Sequence, residues 1–197
     1  MFTLVDNNDS FTFNLYQYFM NCNVDLQVIN INDLNKIDIS QSNGIIISPG
    51  PGNPTEMHSL IEFIRLSGKK VPVLGICLGF QAIGLAYGGT IIEGIEPVHG
   101  KVSEIVHDRE YLFNKIPSPM NVTRYHSLIL QEESVPKPLK ITARSDDGVI
   151  MGIRHLIYPI FGVQFHPEAY LTSFGINIIQ NYINICSMYK TNIIKGV

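Results

Sequence analysis

Four short runs of aliphatic and β-branched residues, Phe2–Val5, Leu26–Ile31, Gly44–Ser48 and Val71–Ile76, punctuate the first 76 residues without polar alternation. Such runs predict strands covered on both faces. Between them apolar residues recur with helical period: Phe11, Leu15 and Phe19 within Ser10–Met20, and Leu60, Ile61 and Ile64 within Thr55–Leu66. Alternation of this kind predicts a parallel sheet with helices on both sides and right-handed connections. After Gly89 the pattern shortens to Thr90–Glu93, Lys101–Val106, Val122–Leu130, Lys140–Ala143 and Val149–Arg154, with a turn at Asp146-Asp147-Gly148. These predict mixed or antiparallel strands. A last apolar strand, Ile160–Phe165, runs into His166-Pro167-Glu168, and Phe174, Ile178, Ile179, Tyr182 and Ile183 are spaced as one face of a closing helix. The expected fold class is α/β: a mostly parallel central sheet flanked by helices, with an additional mixed or antiparallel strand region. No repeat or linker divides the chain, so a single domain over residues 1–190 is expected, with 191–197 a flexible tail.

Composition narrows the class of function. The 197 residues are 45% hydrophobic and 16% charged, ordinary values for a globular domain able to bury a sizeable core. A net charge of -3 and a pI of about 6.0, with no basic cluster, leave no electrostatic footprint for nucleic acid. The N-terminus lacks a secretory pattern and no apolar run is long enough to span a bilayer, so a cytoplasmic protein with no membrane contact is expected. Cys22, Cys77 and Cys186 have no paired spacing, which argues against a disulfide framework and against a metal site.

Cys77 stands apart from the other two cysteines. It lies at the junction of a buried-type strand and a helix, between Gly75 and Gly79, in the G-x-C-x-G pattern of a nucleophile elbow. The turn forces strained dihedrals, and neighbours without a Cβ let it close with the side chain accessible. The helix N-terminus that follows brings free N–H groups to the sulfur and favours thiolate. A buried structural thiol is the commoner role for a cysteine, and it suits Cys22, just past the first helix, and Cys186, on the last helix. A nucleophile needs a base and the base an orienting acceptor; His166 and Glu168, directly after the last strand, can supply both at the same sheet edge. His58, His99, His107 and His155 read as surface or structural groups. The loop Ser48-Pro49-Gly50-Pro51-Gly52-Asn53-Pro54 lacks the residues of a phosphate loop. It fits an oxyanion hole instead, with a glycine N–H acting alongside that of Leu78, each donor worth about 3 kcal/mol.

Taken together, GICLGFQAI around Cys77, the SPGPGNP loop and GVQFHPE resemble the class I (triad) glutamine amidotransferases. VDNNDSFTFNL, PVHGK and RYHSL narrow the resemblance to the small subunits of anthranilate synthase and aminodeoxychorismate synthase, over roughly Phe2 to Ile185. The resemblance implies that Cys77 forms a glutamyl thioester while His166, oriented by Glu168, moves the protons. It implies a glutamine and oxyanion site of Gly50, Pro51, Gly52, Leu78, Gln81, Ser127 and Leu128, with His126 in the site wall. It further implies that the partner is a chorismate-binding large synthase subunit, to which ammonia passes. No cofactor is expected in this chain, and Mg2+ is expected on the partner. Two positions depart from the pattern: Ala169 stands where serine is usual, and Asn8 where tyrosine is frequent. Both pathways fit these motifs, and PGPG rather than PGPC after the third strand leans toward anthranilate synthase. The competing classes are a flavodoxin-like binding module, a γ-glutamyl peptide hydrolase and an inactive regulatory homologue.

Overall fold

The computed structural model describes residues 1–195, with side-chain surroundings through residue 191. Among the described residues nine strands form one sheet. They are β1 (Phe2–Asp6), β2 (Leu26–Asn30), β3 (Ile45–Ile47), β4 (Val73–Ile76), β5 (Ile91–His107), β6 (Met120–Leu130), β7 (Leu139–Ser145), β8 (Ile150–His155) and β9 (Ile160–Val163). Helices α1 (Thr12–Asn21), α2 (His58–Ser67), α3 (Leu78–Ala86) and α4 (Gly175–Lys195) cover them. The order across the sheet is β2-β1-β3-β4-β9-β8-β7-β5-β6. From β2 to β9 the strands are parallel, and from β9 onward each neighbour runs antiparallel. The expected α/β class with an antiparallel extension is what forms.

Both faces of β1, β3, β4 and β9 are buried, which explains the missing polar alternation there, whereas the edge strand β2 is only half-buried. Leu4, Ile46, Leu74 and Ile76 join one layer with Leu15 and Phe19 of α1 and Ile178, Ile179 and Tyr182 of α4. Val5, Ile45, Ile47 and Val73 turn the other way, against Leu60 and Ile64 of α2 and Phe80 and Ile83 of α3. Each such aliphatic side chain contributes about 1.5–3 kcal/mol on burial, so a one-residue slip of a strand is strongly disfavoured.

Several boundaries differ from the expectation. Ile91–Glu93 and Lys101–Val106 belong to the single long strand β5, which begins one residue after Thr90 and whose pairing with β6 shifts register between Glu93 and Val98 and again between His99 and Lys101. Pro97 and Gly100, the latter at φ +67, break the periodic pattern that would have revealed it. The helix expected from Thr55 begins at His58, because Asn53 caps a separate 3-10 turn over Pro54–Glu56 and Met57 leaves helical dihedrals. Phe174 precedes α4 rather than joining its buried face: it sits at φ +57 and is 44% exposed. Helix α4 continues to Lys195, into the segment expected as a tail, while 196 and 197 lie outside the described residues. No helix among the described residues is long and apolar enough to cross a membrane.

One pairing positions the chemistry. β4 and β9 are neighbours, with Ile76 opposite Val163, so the residues that follow them emerge side by side at the carboxyl edge of the sheet.

Candidate active site

Cys77 occupies the turn between β4 and α3 at φ +52, ψ -101, a conformation costly for a residue with a side chain. Its N–H donates to Val163 O at 2.8 Å, and its carbonyl accepts the first α3 bond, from Gln81 N–H at 3.1 Å. The amides of Leu78, Gly79 and Phe80 are therefore the ones an α-helix leaves without an internal acceptor. The flanking glycines fit the steric expectation closely. A Cβ on Gly75 would lie 2.4 Å from the Gly79 main chain, and one on Gly79 would lie 2.5 Å from Ile47 O. Only bare backbone lets α3 start this near β3 and β4.

The sulfur is set among polar groups although the residue is only 7% exposed. Gln164 Nε2 lies 3.6 Å from Sγ, and Tyr125 O lies 3.8 Å from it. Gln164, fully buried, also accepts from Gln81 Nε2 at 3.2 Å, and the same nitrogen donates to Leu128 O at 2.9 Å. Both amide hydrogens of Gln81 are thus taken up by the protein, and only its oxygen is left to meet a substrate. Gln164 was not among the expected site residues. The signal was present as a lone amide inside the apolar run Ile160–Phe165.

His166 and Glu168 meet as the motif suggested. Nδ1 of His166 donates to Glu168 Oε1 at 2.7 Å, while Nε2 is buried without a protein partner and free for a reacting group. The edges and faces of Phe11 and Tyr125, with ring centroids 5.2 and 5.1 Å away, wall the imidazole from water. Burial opposes a charged ring, yet the neighbouring Cys77 and Glu168 outweigh it and hold the His166 pKa up at about 10. The turn itself is pinned: Thr172 Oγ1 donates to His166 O at 2.6 Å, and a Cβ on Gly175 would collide with Pro167 O at 1.9 Å. Glu168 Oε2 is buried with no partner, and Ala169 beside it offers no hydroxyl.

The proline-glycine loop after β3 comes to the same edge. A Cβ on Gly50 would stand 3.5 Å from Leu78 Cδ1, so loop and helix start are in contact, and Gly52 uses φ +88. Ser127 and Leu128 lie on β6 next to the Leu128 carbonyl that Gln81 holds. Pro51 and Gly52 are exposed at the mouth. Contacts thus link Cys77, His166, Glu168, Gln81, Leu128, Leu78 and Gly50, while Pro51, Gly52 and Ser127 are chain neighbours of that group.

Alternation along β6 points His126 to the opposite side from Tyr125, although it stays near enough to His166 to feel its charge. It is Tyr125 that meets His166, whereas His126 Nε2 accepts from Arg124 Nε at 3.1 Å. Arg124 is itself 3% exposed and pairs with Asp147 at 2.8 Å. Burial and the adjacent guanidinium depress the His126 pKa to about 4. His107 and His155 are structural as expected: each ring Nδ1 accepts a main-chain N–H, and burial lowers both. Cys186 is a buried thiol pushed up to about 12 by its apolar surroundings, and Cys22 is raised for the same reason. Among the described residues no three His, Cys, Asp or Glu side chains gather as a metal-ligand set.

The family described as glutamine amidotransferase class-I matches residues 3–185. Anthranilate synthase component 2 of Cyanophora paradoxa is 45% identical over 190 residues, covering 93% of this chain and 98% of that one. Aminodeoxychorismate synthase component 2 of Escherichia coli K12 is 42% identical over 187 residues, covering 93% and 100%. A crystal structure described as a GMP synthase subunit from Thermoplasma acidophilum superposes with a TM-score of 0.84 at 26% identity, over 97% of this chain and 96% of that one. With a strained cysteine elbow facing a histidine-carboxylate pair and a family match over nearly its whole length, the chain belongs to the class-I glutamine amidotransferases.

Proposed function

We propose that this enzyme hydrolyses L-glutamine through Cys77, His166 and Glu168 and passes the ammonia to a chorismate-binding synthase subunit that makes anthranilate. The observation that carries the proposal is the juxtaposition of the Cys77 elbow with the His166–Glu168 pair, bonded at 2.7 Å, just past the ends of adjacent strands. Cys77 Sγ attacks the side-chain amide carbon of glutamine, and the carbonyl oxygen becomes an oxyanion between the N–H of Leu78 and that of a glycine in the SPGPG loop. His166, protonated at Nε2, gives its proton to the departing nitrogen, so ammonia leaves and a thioester remains. Glu168 holds the ring in the tautomer this needs. A water then loses a proton to Nε2, attacks the thioester, and glutamate leaves as the Cys77 thiolate returns.

The anthranilate assignment rests on the PGPG loop and on the 45% identical relative of that name. The aminodeoxychorismate synthase relative, at 42%, supports a second reading in which the same ammonia serves that partner. Glutamate release should be followed for the wild type and Cys77→Ala, alone and mixed with each type of chorismate-binding subunit. Release that requires Cys77 and rises with one partner is expected, and the aminated product identifies that partner. Release that persists in Cys77→Ala, or its absence in every mixture, would overturn the proposal.

A further inference from the structure

Asn7 follows β1, is 2% exposed, and lies under the SPGPG loop. Its main-chain N–H donates to Ser48 Oγ at 3.0 Å, and its side-chain nitrogen donates to Ser48 O at 2.7 Å. Ser48 Oγ in turn donates to Pro49 O at 2.6 Å. A Cβ on Gly50 would lie 2.5 Å from Asn7 Cβ and 2.9 Å from Asn7 O, so the middle of the loop rests directly on this residue. Between Ser48 and Asn53 only Gly50 and Gly52 have a main-chain N–H to offer, because 49 and 51 are prolines. β3 ends at Ile47, so no strand ladder holds either amide. Where that N–H points depends on how Ser48 and Gly50 are fixed.

We propose that Asn7 is a positioning residue for the oxyanion hole: by clamping Ser48 and supporting Gly50, it sets where the loop N–H meets the oxyanion of the substrate amide. The inference rests on the glutaminase reading above. One bond holds the Ser48 carbonyl and the other its hydroxyl, which itself bonds Pro49 O, so both the main chain and the side chain of Ser48 are tied down. Asn7 Oδ1 is buried with no partner. A side chain that served packing alone would not keep that acceptor, and it is the donor end that the loop uses.

The test measures glutamate release across glutamine concentrations for the wild type and Asn7→Ala, with the synthase partner present, beside melting temperature and the rate at which iodoacetamide alkylates Cys77. Losing an oxyanion donor outright lowers kcat by about 10²–10³, so its misplacement should lower kcat by about tenfold to a hundredfold. KM should move by less than about threefold, because ground-state glutamine does not use this donor. Alkylation of Cys77 should be unchanged. Ser48→Ala, which removes the other bond of the pair, from the Asn7 main-chain N–H to Ser48 Oγ, should show the same split, and the double variant should lose little more than either single one. It also carries the comparison if Asn7→Ala does not fold. Unchanged kcat in either folded variant overturns the inference. So does a loss shared equally by KM and alkylation, which marks general loosening of the site. If the wild type releases no glutamate at all, the glutaminase reading fails and takes this inference with it.

Discussion

Acid should weaken this fold through His126, and the size of the effect follows from where the ring sits. Nε2 of His126 accepts from Arg124 Nε at 3.1 Å, and Arg124 is 3% exposed. Protonation would turn that acceptor into a donor and set two cations together in a buried place, which is why burial and Arg124 depress the pKa from 6.5 to about 4. The sign is fixed by which state takes the proton first. Between about pH 6.5 and 4 the unfolded ring is protonated and the folded ring is not, so the unfolded state binds more protons and stability falls as pH falls. His126 thus leaves stability intact above pH 6.5 and removes about 3 kcal/mol of it by pH 4. His126→Gln can still present an oxygen to Arg124 but does not titrate. Urea unfolding followed by circular dichroism from pH 4 to 8 should give converging curves: the wild type loses more stability than the variant on acidification. Parallel curves across that window would refute the reasoning, as would a wild type that loses stability toward high pH through this residue.

Three further outcomes are expected. Glu168→Gln should lower kcat by about a hundredfold or more, since the tautomer of His166 is no longer enforced; it should also move the His166 limb of the pH–rate profile to lower pH, because Glu168 helps raise that pKa. Gly175→Ala places a Cβ 1.9 Å from Pro167 O, so the His166 turn must shift; a loss of about 1–3 kcal/mol in urea unfolding, with reduced kcat, is expected. Thiol labelling read by mass spectrometry should modify Cys77 before Cys22 at neutral pH, and Cys186, raised to about 12 and buried, only after unfolding; early labelling of Cys186 would contradict its placement.

Physical reasons separate what was legible in the sequence from what was not. Strands such as Ile45–Ile47 and Val73–Ile76 could be read because two apolar layers demand uninterrupted aliphatic runs. The continuity of β5 could not, since Pro97 and the positive φ of Gly100 mimic a loop. Phe174 carries the spacing of the α4 face, yet a single left-handed residue removes it from the helix. Cys77, His166 and Glu168 were legible because strained turns and proton relays restrict residue type locally. Gln164, Tyr125 and Phe11 were not singled out for the site, because a side chain recruited across the sheet leaves no spacing rule in the chain.

The strand order has a consequence for synthesis. Among the described residues β9 is the last strand to be made, but it lies in the interior of the sheet, between β4 and β8. A growing polypeptide therefore carries two open strand edges until residue 163 has left the ribosome, and both are templates for mispairing. The same delay keeps Cys77 apart from His166 and Glu168, so on the proposed mechanism a nascent or truncated chain cannot release ammonia before residue 168 has emerged. A fragment ending at Pro159 should accordingly aggregate and lack glutaminase activity, and a soluble, active fragment would show that β9 is dispensable.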